Sequence, residues 1–389
     1  MKPSEDAPKL IYVEPNWKTH SSATDLSLSS PNGYKFVSGV ATDRSVKSLA
    51  RYDFFYNAKL AVEQMIPLQL GLSIARSVSQ PRADCIYALS HVVMSKRPWI
   101  LDMGTEMPFL LASNEKQFEK TKSVIRSLIL SENCRQVIFM TDSARRAFLQ
   151  GLGAEISDKL SVVYWGVRKR NFQKAFEQHR VRILFVSSSN IGSMSHFYGK
   201  GGMDLLRAFA KLRRKYANIE LVIRSAMSEQ MEAICLSVPG VTVIRNALSW
   251  AEIERVWESS DIFALPVHAI APGLSLLEAK SYELPVVTTS IPSNRELISD
   301  GVTGLLASFN ELLQYSEGDL VHMSDPVLKM HWSQTLVDSL VEKLEILIGD
   351  EELRRTMGKR ARLEVESGQF SIEARNRRLA HVLDKAIDA

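Results

Sequence analysis

The stretch DIFALPVHAIAPGLSLLEAKSYELPVVTTSIPSNRELISDGVTGLLA, residues 261–307, constrains the fold most. It reads as a short apolar strand, a Pro/Gly loop, a helix, a second buried strand, a turn, a helix and a turn. Strands that alternate with helices pair in parallel, through right-handed crossovers. The same alternation begins upstream at VRILFVSSS (181–189). It continues through KGGMDLLRAFAKLRRKY, IELVIRSA, MSEQMEAICLS, VTVIRNA and WAEIERVWESS.

A first alternating series precedes it. KLIYVEP (9–15), GYKFVSG (33–39), ADCIYALS (83–90), RPWILDMG (97–104), QVIFMTD (136–142) and KLSVVYWGV (159–167) read as strands. Helical periodicity marks 48–78, 114–134 and 143–153, the last closed by glycine. The charged connector KRNFQKAFEQHR (169–180) separates the two series. The tail from about 327 is helical. The fold class expected is therefore α/β: two doubly wound, Rossmann-like parallel-sheet domains facing a cleft. The limits are 1–172, 173–365 and a C-terminal helix 366–389 that packs back on the N-terminal domain. Ligands in such sheets bind beyond the carboxyl ends of the strands.

At 389 residues the chain is long enough for two domains with their own cores. Its three cysteines are far apart, without metal-ligand spacing or a disulfide framework. A net charge of +4 does not argue for nucleic acid. It suits anionic small molecules and an acidic membrane surface. The polar start MKPSEDAPK has no signal-peptide pattern, and no apolar run is long enough to span a bilayer. The expected location is cytoplasmic, with peripheral contact on the inner membrane face. The amphipathic helix 114–134, with Lys116, Lys120, Lys122 and Arg126, suits either that contact or ordinary packing on a sheet.

Two constellations carry chemistry. In APGLSLLEAKS, Pro272 and Gly273 let a ligand approach the backbone, and the amides of Leu274 and Ser275 open a helix. Unpaired amides and the helix dipole favour a phosphate there. Glu278, on the same helical face, suits paired hydroxyls such as those of a ribose. The competing reading is a plain N-cap with a solvated glutamate. In VSSSNIGSMSHFYGKGGMDLLRAF (186–209), a Ser/Gly-rich loop leads to Lys200 and Gly201. Lys200 is suited to phosphate as a point charge, although the spacing is not that of a P-loop. The plain alternative is a surface lysine.

The two features follow strands in order within one domain. There the chain resembles the retaining glycosyltransferases of family four, which have the GT-B fold. The resemblance is clearest over 181–307 and extends more weakly through SARRAFL (143–149) and KLSVVYWGVRKRNF (159–172). It implies a lysine–glycine contact to the donor diphosphate at Lys200, and a Glu-x7-Glu motif whose second glutamate, Glu278, binds the ribose. Gly273 and Leu274 match the amides between the two glutamates. The motif's first glutamate falls on Ile270 and the usual arginine after the first strand on Ser188. The N-domain histidine expected after the strand at 99–103 has no counterpart. Asn190, His196 and Arg224 are candidate substitutes for the missing arginine.

Further candidates are His91 and Asp102, each at a strand's carboxyl end, where an acceptor hydroxyl would lose its proton or be bound. Their plain readings are a packed histidine and a capping aspartate. Glu106, after the same strand as Asp102, is an equal candidate for that role, His20 in the loop after the first strand is a weak candidate for contact with either substrate, and Arg245 with Asn246 suits the nucleotide base. No metal motif is present, so neither a metal nor another cofactor is expected, the nucleotide-diphosphate sugar being a co-substrate.

The resemblance implies transfer of a sugar from a nucleotide-diphosphate sugar to a sugar, glycan or lipid-linked acceptor, with retention of anomeric configuration. The alternatives are a catalytically silent GT-B protein that scaffolds or activates a partner, and a sugar-nucleotide epimerase on the same fold.

Overall fold

A computed structural model describes residues 7–14, 26–38, 62, 65–66, 70–71, 83–104, 111–112, 114–174, 180–187, 194–246, 248–268, 273–309 and 331–388. The chain divides into two compact units. One comprises Met1–Trp165 with Ile372–Ala389; the other comprises Gly166–Ser316 with Ser324–Ser371. Among the described residues no helix is long and apolar enough to cross a membrane.

The first unit is built on a six-stranded parallel sheet. Its strands are β1 (Lys9–Glu14), β2 (Tyr34–Ser38), β3 (Cys85–Leu89), β4 (Trp99–Gly104), β5 (Cys134–Phe139) and β6 (Leu160–Val162). They lie in the order β2-β1-β3-β4-β5-β6. Every residue of β3 and β4 is buried, as expected of strands covered on both faces. Helix α1 (Glu115–Leu130) starts where the Asn114 side chain accepts from Gln117 N–H at 3.0 Å. It buries Phe118, Ile125 and Ile129. At its other end the Lys159 ammonium donates to the carbonyls of Ile129, Ser131 and Cys134 at 2.7–2.9 Å. Ile129 and Ser131 lie at the end of α1 and Cys134 opens β5, so one cation ties the helix end, with its negative dipole pole, to the strand. Helix α2 (Asp142–Leu152) is capped by Thr141 and ends at Gly153.

The C-terminal helix Ile372–Asp388 belongs to this first unit. Its Leu379, Val382, Leu383 and Ala386 join the core of Ile11, Val13, Phe36 and Tyr87. The Arg375 guanidinium donates to Ser29 O at 2.8 Å, and Lys9 pairs with Asp388 at 2.6 Å. The apolar face of the helix is thus the buried one.

The second unit is also a six-stranded parallel sheet. Strands β7 (Val181–Val186), β8 (Ile219–Arg224), β9 (Val241–Ile244), β10 (Ile262–Leu265), β11 (Val286–Thr289) and β12 (Gly304–Ala307) run in the order β12-β11-β10-β7-β8-β9. That is the doubly wound dinucleotide-fold order, with its switch point between β7 and β10. Helices α3 (Met194–Gly199), α4 (Gly202–Lys215), α5 (Glu229–Leu236), α6 (Trp250–Glu258), α7 (Leu274–Ser281) and α8 (Pro292–Leu297) connect them. Helices α9 (Gln334–Gly349) and α10 (Glu351–Glu366) follow. Ser249 and Glu252 form a reciprocal capping box at α6. The fully buried Lys280 ammonium at the end of α7 pairs with Glu364 of α10 at 2.5 Å and donates to Leu297 O. Arg362 donates to the carbonyls of Arg170 and Phe172, so α10 holds the connector.

Three readings of the sequence change, and a fourth is left untested. GLLA (304–307) is strand β12 rather than a turn. Gly304 is there because a Cβ would run into the Val286 carbonyl of the neighbouring strand, so the apparent turn signal is a close-packing requirement. The strand expected over 159–167 stops at Val162. Among the described residues it is an edge strand paired only with β5, and the chain then runs to an isolated bridge between Val167 and Ser371. The stretch before Lys200 contains the short helix α3 rather than loop throughout. The helix expected over 48–78 lies almost wholly outside the described residues.

Candidate nucleotide site at the switch point

Adjacent strands β7 and β10 diverge at their carboxyl ends, where the chain leaves in opposite crossover directions. The segment after β10 is anchored to the segment before α4. His268 N–H donates to Gly199 O at 2.9 Å. Gly201 has φ +72°, and a Cβ on it would overlap the Pro266 carbonyl. Only glycine meets both demands. Lys200 is therefore held between two fixed neighbours at the mouth of the sheet.

Three charged side chains act on one another here. Burial, and then the Arg224 guanidinium, hold the Lys200 pKa below the ordinary lysine value, while Glu278 pulls it back up. Burial also lowers Arg224, again opposed by Glu278. The three come from separate elements: Lys200 precedes α4, Arg224 ends β8 and Glu278 lies in α7. All are half-buried. Two cations share one carboxylate, and the surplus positive charge is poorly solvated. Such an arrangement gains from an anion that displaces little water.

The amide side of the cradle is Gly273, the N-cap of α7. It makes no side-chain cap bond, and no acidic residue lies in the first turn. Among the described residues the amides of Leu274 and Ser275 meet no side-chain cap, and no acid of the helix's own first turn faces the positive end of its dipole. Glu278 is one turn on along the same helix.

The structure thus brings Lys200, Gly201 and Glu278 of the sequence candidates into one unit, with Arg224 electrostatically coupled to Lys200 and Glu278. Asn190 and Pro272 lie outside the described residues, as do Ser188, Ile270, Glu106 and His20. The His196 side chain is likewise not described. Arg245 is engaged elsewhere: its Nε meets Glu232 Oε2 of α5 at 3.0 Å. His91 and Asp102 belong to the first unit. Both carboxylate oxygens of buried Asp102 are occupied, one by the Tyr87 hydroxyl at 2.6 Å and one by Gly104 N–H at 2.8 Å. Burial raises its pKa to about 6, against the lowering by those two bonds and by Arg375. Buried His91 lies at that sheet's own switch point, with Nδ1 2.8 Å from Leu89 O and Nε2 3.7 Å from Glu14 Oε1. Among the described residues no cluster of three or more His, Cys, Asp and Glu side chains could hold a metal.

One buried pair was not read from the sequence. His268 Nε2 lies 2.6 Å from Asp204 Oδ2, both side chains being fully buried. An aspartate in the first turn of a helix is ordinarily a solvated partner of the dipole. Nothing in its spacing distinguishes a buried one.

Residues 180–317 match the family described as glycosyl transferases group 1. The chain is 24% identical over 324 residues to the sulfoquinovosyl transferase SQD2 of Arabidopsis thaliana, covering 78% of this chain and 58% of that one. It is 24% identical over 174 residues to the capsular polysaccharide biosynthesis glycosyltransferase CapM of Staphylococcus aureus, covering 43% and 38%. The chain thus spans less than two thirds of the length of these relatives. Anabaena HepE in complex with UDP and glucose superposes with a TM-score of 0.60 at 15% identity, covering 97% of this chain and 99% of that one. WaaG, a glycosyltransferase involved in lipopolysaccharide biosynthesis, superposes with a TM-score of 0.57 at 13% identity, covering 95% and 99%. The family match thus covers residues 180–317, and the two six-stranded parallel sheets share the GT-B fold of these solved structures.

Proposed function

We propose that this chain, whose second unit carries that segment, transfers a sugar from a nucleotide-diphosphate sugar to an acceptor hydroxyl. The carrying observation is the coupling of Lys200, Arg224 and Glu278 at the switch point. The departing diphosphate gains negative charge as the glycosidic bond breaks. Lys200, Arg224 and the amides of Leu274 and Ser275 stabilise that charge where little water competes. Glu278 receives the ribose hydroxyls. Its carboxylate also keeps the two cations from repelling each other before the donor arrives.

Retention of configuration and membership of family four follow from the resemblance of the loop–helix motif, and belong to this proposal. So do the working limits: residues 1–172 with the helix 366–389 for the acceptor, and 173–365 for the donor. The acceptor is a sugar, glycan or lipid-linked sugar, with His91 the first-unit group offered to its hydroxyl. No metal or other cofactor takes part, because the lysine and arginine supply the charge on the diphosphate. A cytoplasmic location with peripheral membrane contact completes the reading. The silent alternative is not favoured, as both curated relatives named above are transferases.

The test is thermal stabilisation by UDP, GDP and dTDP, followed by release of free nucleotide from the matching sugar nucleotides with a panel of acceptors. Stabilisation by one diphosphate and acceptor-dependent release support the reading. Absence of any stabilisation refutes it.

A further inference from the structure

We infer that the buried His268–Asp204 pair is the positioning device that sets Lys200 against the amides of α7. The inference rests on the donor site proposed above.

Lys200 sits in a short segment whose main chain is tied to residues 266–268 on both sides, besides the local bonds from Gly201 N–H to Tyr198 O and from Leu205 N–H to Gly201 O. Its predecessor Gly199 accepts from His268 N–H at 2.9 Å. Its successor Gly201 packs on the Pro266 carbonyl. One turn further on, Asp204 Oδ2 takes the His268 Nε2–H at 2.6 Å, and Asp204 Oδ1 accepts from Ser333 N–H at 2.6 Å. A carboxylate only accepts, so the imidazole Nε2 must carry the proton. Among the described residues Nδ1 has no partner, so within that set Asp204 alone fixes the ring by hydrogen bonding. His268 in turn stands five residues before Gly273. One side chain therefore joins the exit of β10, which runs on to the amide half of the cradle, to the start of α4, which carries the lysine half.

This pair is costly to bury. The remaining buried side chains of α4 are apolar: Leu205, Leu206, Ala208, Phe209 and Leu212. A leucine at 204 and an aliphatic residue at 268 would fill the same space without desolvating a carboxylate. What apolar packing cannot supply is a directional link between these two segments. Buried polar pairs of this kind fix one arrangement among several that pack equally well. The diphosphate-binding geometry is what such a link protects, since an ammonium displaced by about 1 Å loses much of its catalytic value.

The experiment compares nucleoside diphosphate with monophosphate. Binding of UDP and UMP, and in parallel GDP with GMP and dTDP with dTMP, is measured by calorimetry on the full chain. His268→Leu removes the bond. His268→Gln returns a donor near the Nε2 position. Asp204→Asn keeps an oxygen for Ser333 N–H but removes the charge. The result expected is at least a tenfold weaker diphosphate in His268→Leu, with the monophosphate changed less than threefold. His268→Gln recovers diphosphate binding to within about threefold of the parent. Asp204→Asn weakens the diphosphate alone, by threefold or more. If His268→Leu does not fold, the Gln and Asn variants decide. Equal weakening of di- and monophosphate, or no change in variants that fold, overturns the inference. A parent protein that binds no diphosphate overturns the donor-site reading beneath it, which is a separate result.

Discussion

Arg224, the last residue of β8, stands in register with Val186, the last residue of β7. Its backbone carbonyl accepts from Ser187 N–H at 2.8 Å, and its guanidinium donates to Ser187 O at 3.3 Å. The next residue in the sequence is Ser188, where the family resemblance leads to the expectation of an arginine. The positive charge missing from one strand end is therefore present on its neighbour. Arg224→Gln is expected to weaken nucleoside diphosphate binding at least tenfold, about 1.4 kcal/mol. A monophosphate titration run alongside should change much less. Unchanged diphosphate affinity would remove Arg224 from the site.

Lys200→Ala and Glu278→Ala should each lower donor binding or turnover at least tenfold, again about 1.4 kcal/mol. They should differ in kind. Lys200→Ala acts on the diphosphate. Glu278→Ala acts on the ribose, and also leaves Lys200 beside Arg224 without a balancing carboxylate. A 2′-deoxy nucleotide distinguishes them: it should lose affinity against the parent and Lys200→Ala, and little against Glu278→Ala. Full activity in both variants refutes the assignment.

The charge state of Lys200 gives a pH dependence. Its pKa lies below the ordinary lysine value because of burial and Arg224. A bound diphosphate favours the charged form, so binding raises that pKa and takes up a proton at high pH. Donor affinity should fall as pH climbs through the lowered pKa of Lys200 in the ligand-free protein, which lies below 10.5. In Lys200→Arg, whose guanidinium stays charged, the fall should be absent over the same range. Calorimetric titration in buffers of different ionisation enthalpy measures the proton uptake directly.

Gly201→Ala tests the scaffold rather than the charge. A left-handed alanine costs about 1–2 kcal/mol, and the added methyl also overlaps the Pro266 carbonyl. The expected loss exceeds about 2 kcal/mol in denaturant unfolding, with diphosphate affinity lost in parallel. A variant of parental stability would show that the segment can shift without cost.

Much of this architecture is legible because its signals are local. β7, β8 and β10 are short apolar runs that end in turn residues, and their alternation with amphipathic helices leaves only a parallel sheet. Lys200-Gly201 and Gly273-Leu274 are legible for the same reason, as each opens a helix with a glycine beside its first residues. What escapes is set by distant neighbours. Gly304 reads as a turn because the Val286 carbonyl that excludes a side chain there lies in another strand. Asp204 reads as solvated because His268, its partner, is 64 positions away. Arg245 reads as free because its contact with Glu232 depends on how α5 lies on β9. The switch point itself is legible only as a topology, since strand order is a property of the sheet.

Asp102 carries the last prediction. Burial holds its pKa near 6, against an ordinary value of 3.8, even though Tyr87 and Gly104 favour the charged form. The folded state therefore binds this proton more tightly than the unfolded chain. Its contribution is fully present below pH 3.8 and is lost as pH rises through about 6. The difference of about two pKa units corresponds to roughly 3 kcal/mol by neutral pH. Asp102→Asn has no such titration, and its amide can still accept from Gly104 N–H. The gap in unfolding free energy between variant and parent should thus move in the variant's favour by up to that amount from pH 4 to pH 8. Urea unfolding at steps of half a pH unit measures it, and a gap that stays constant across the range would place the carboxyl in water.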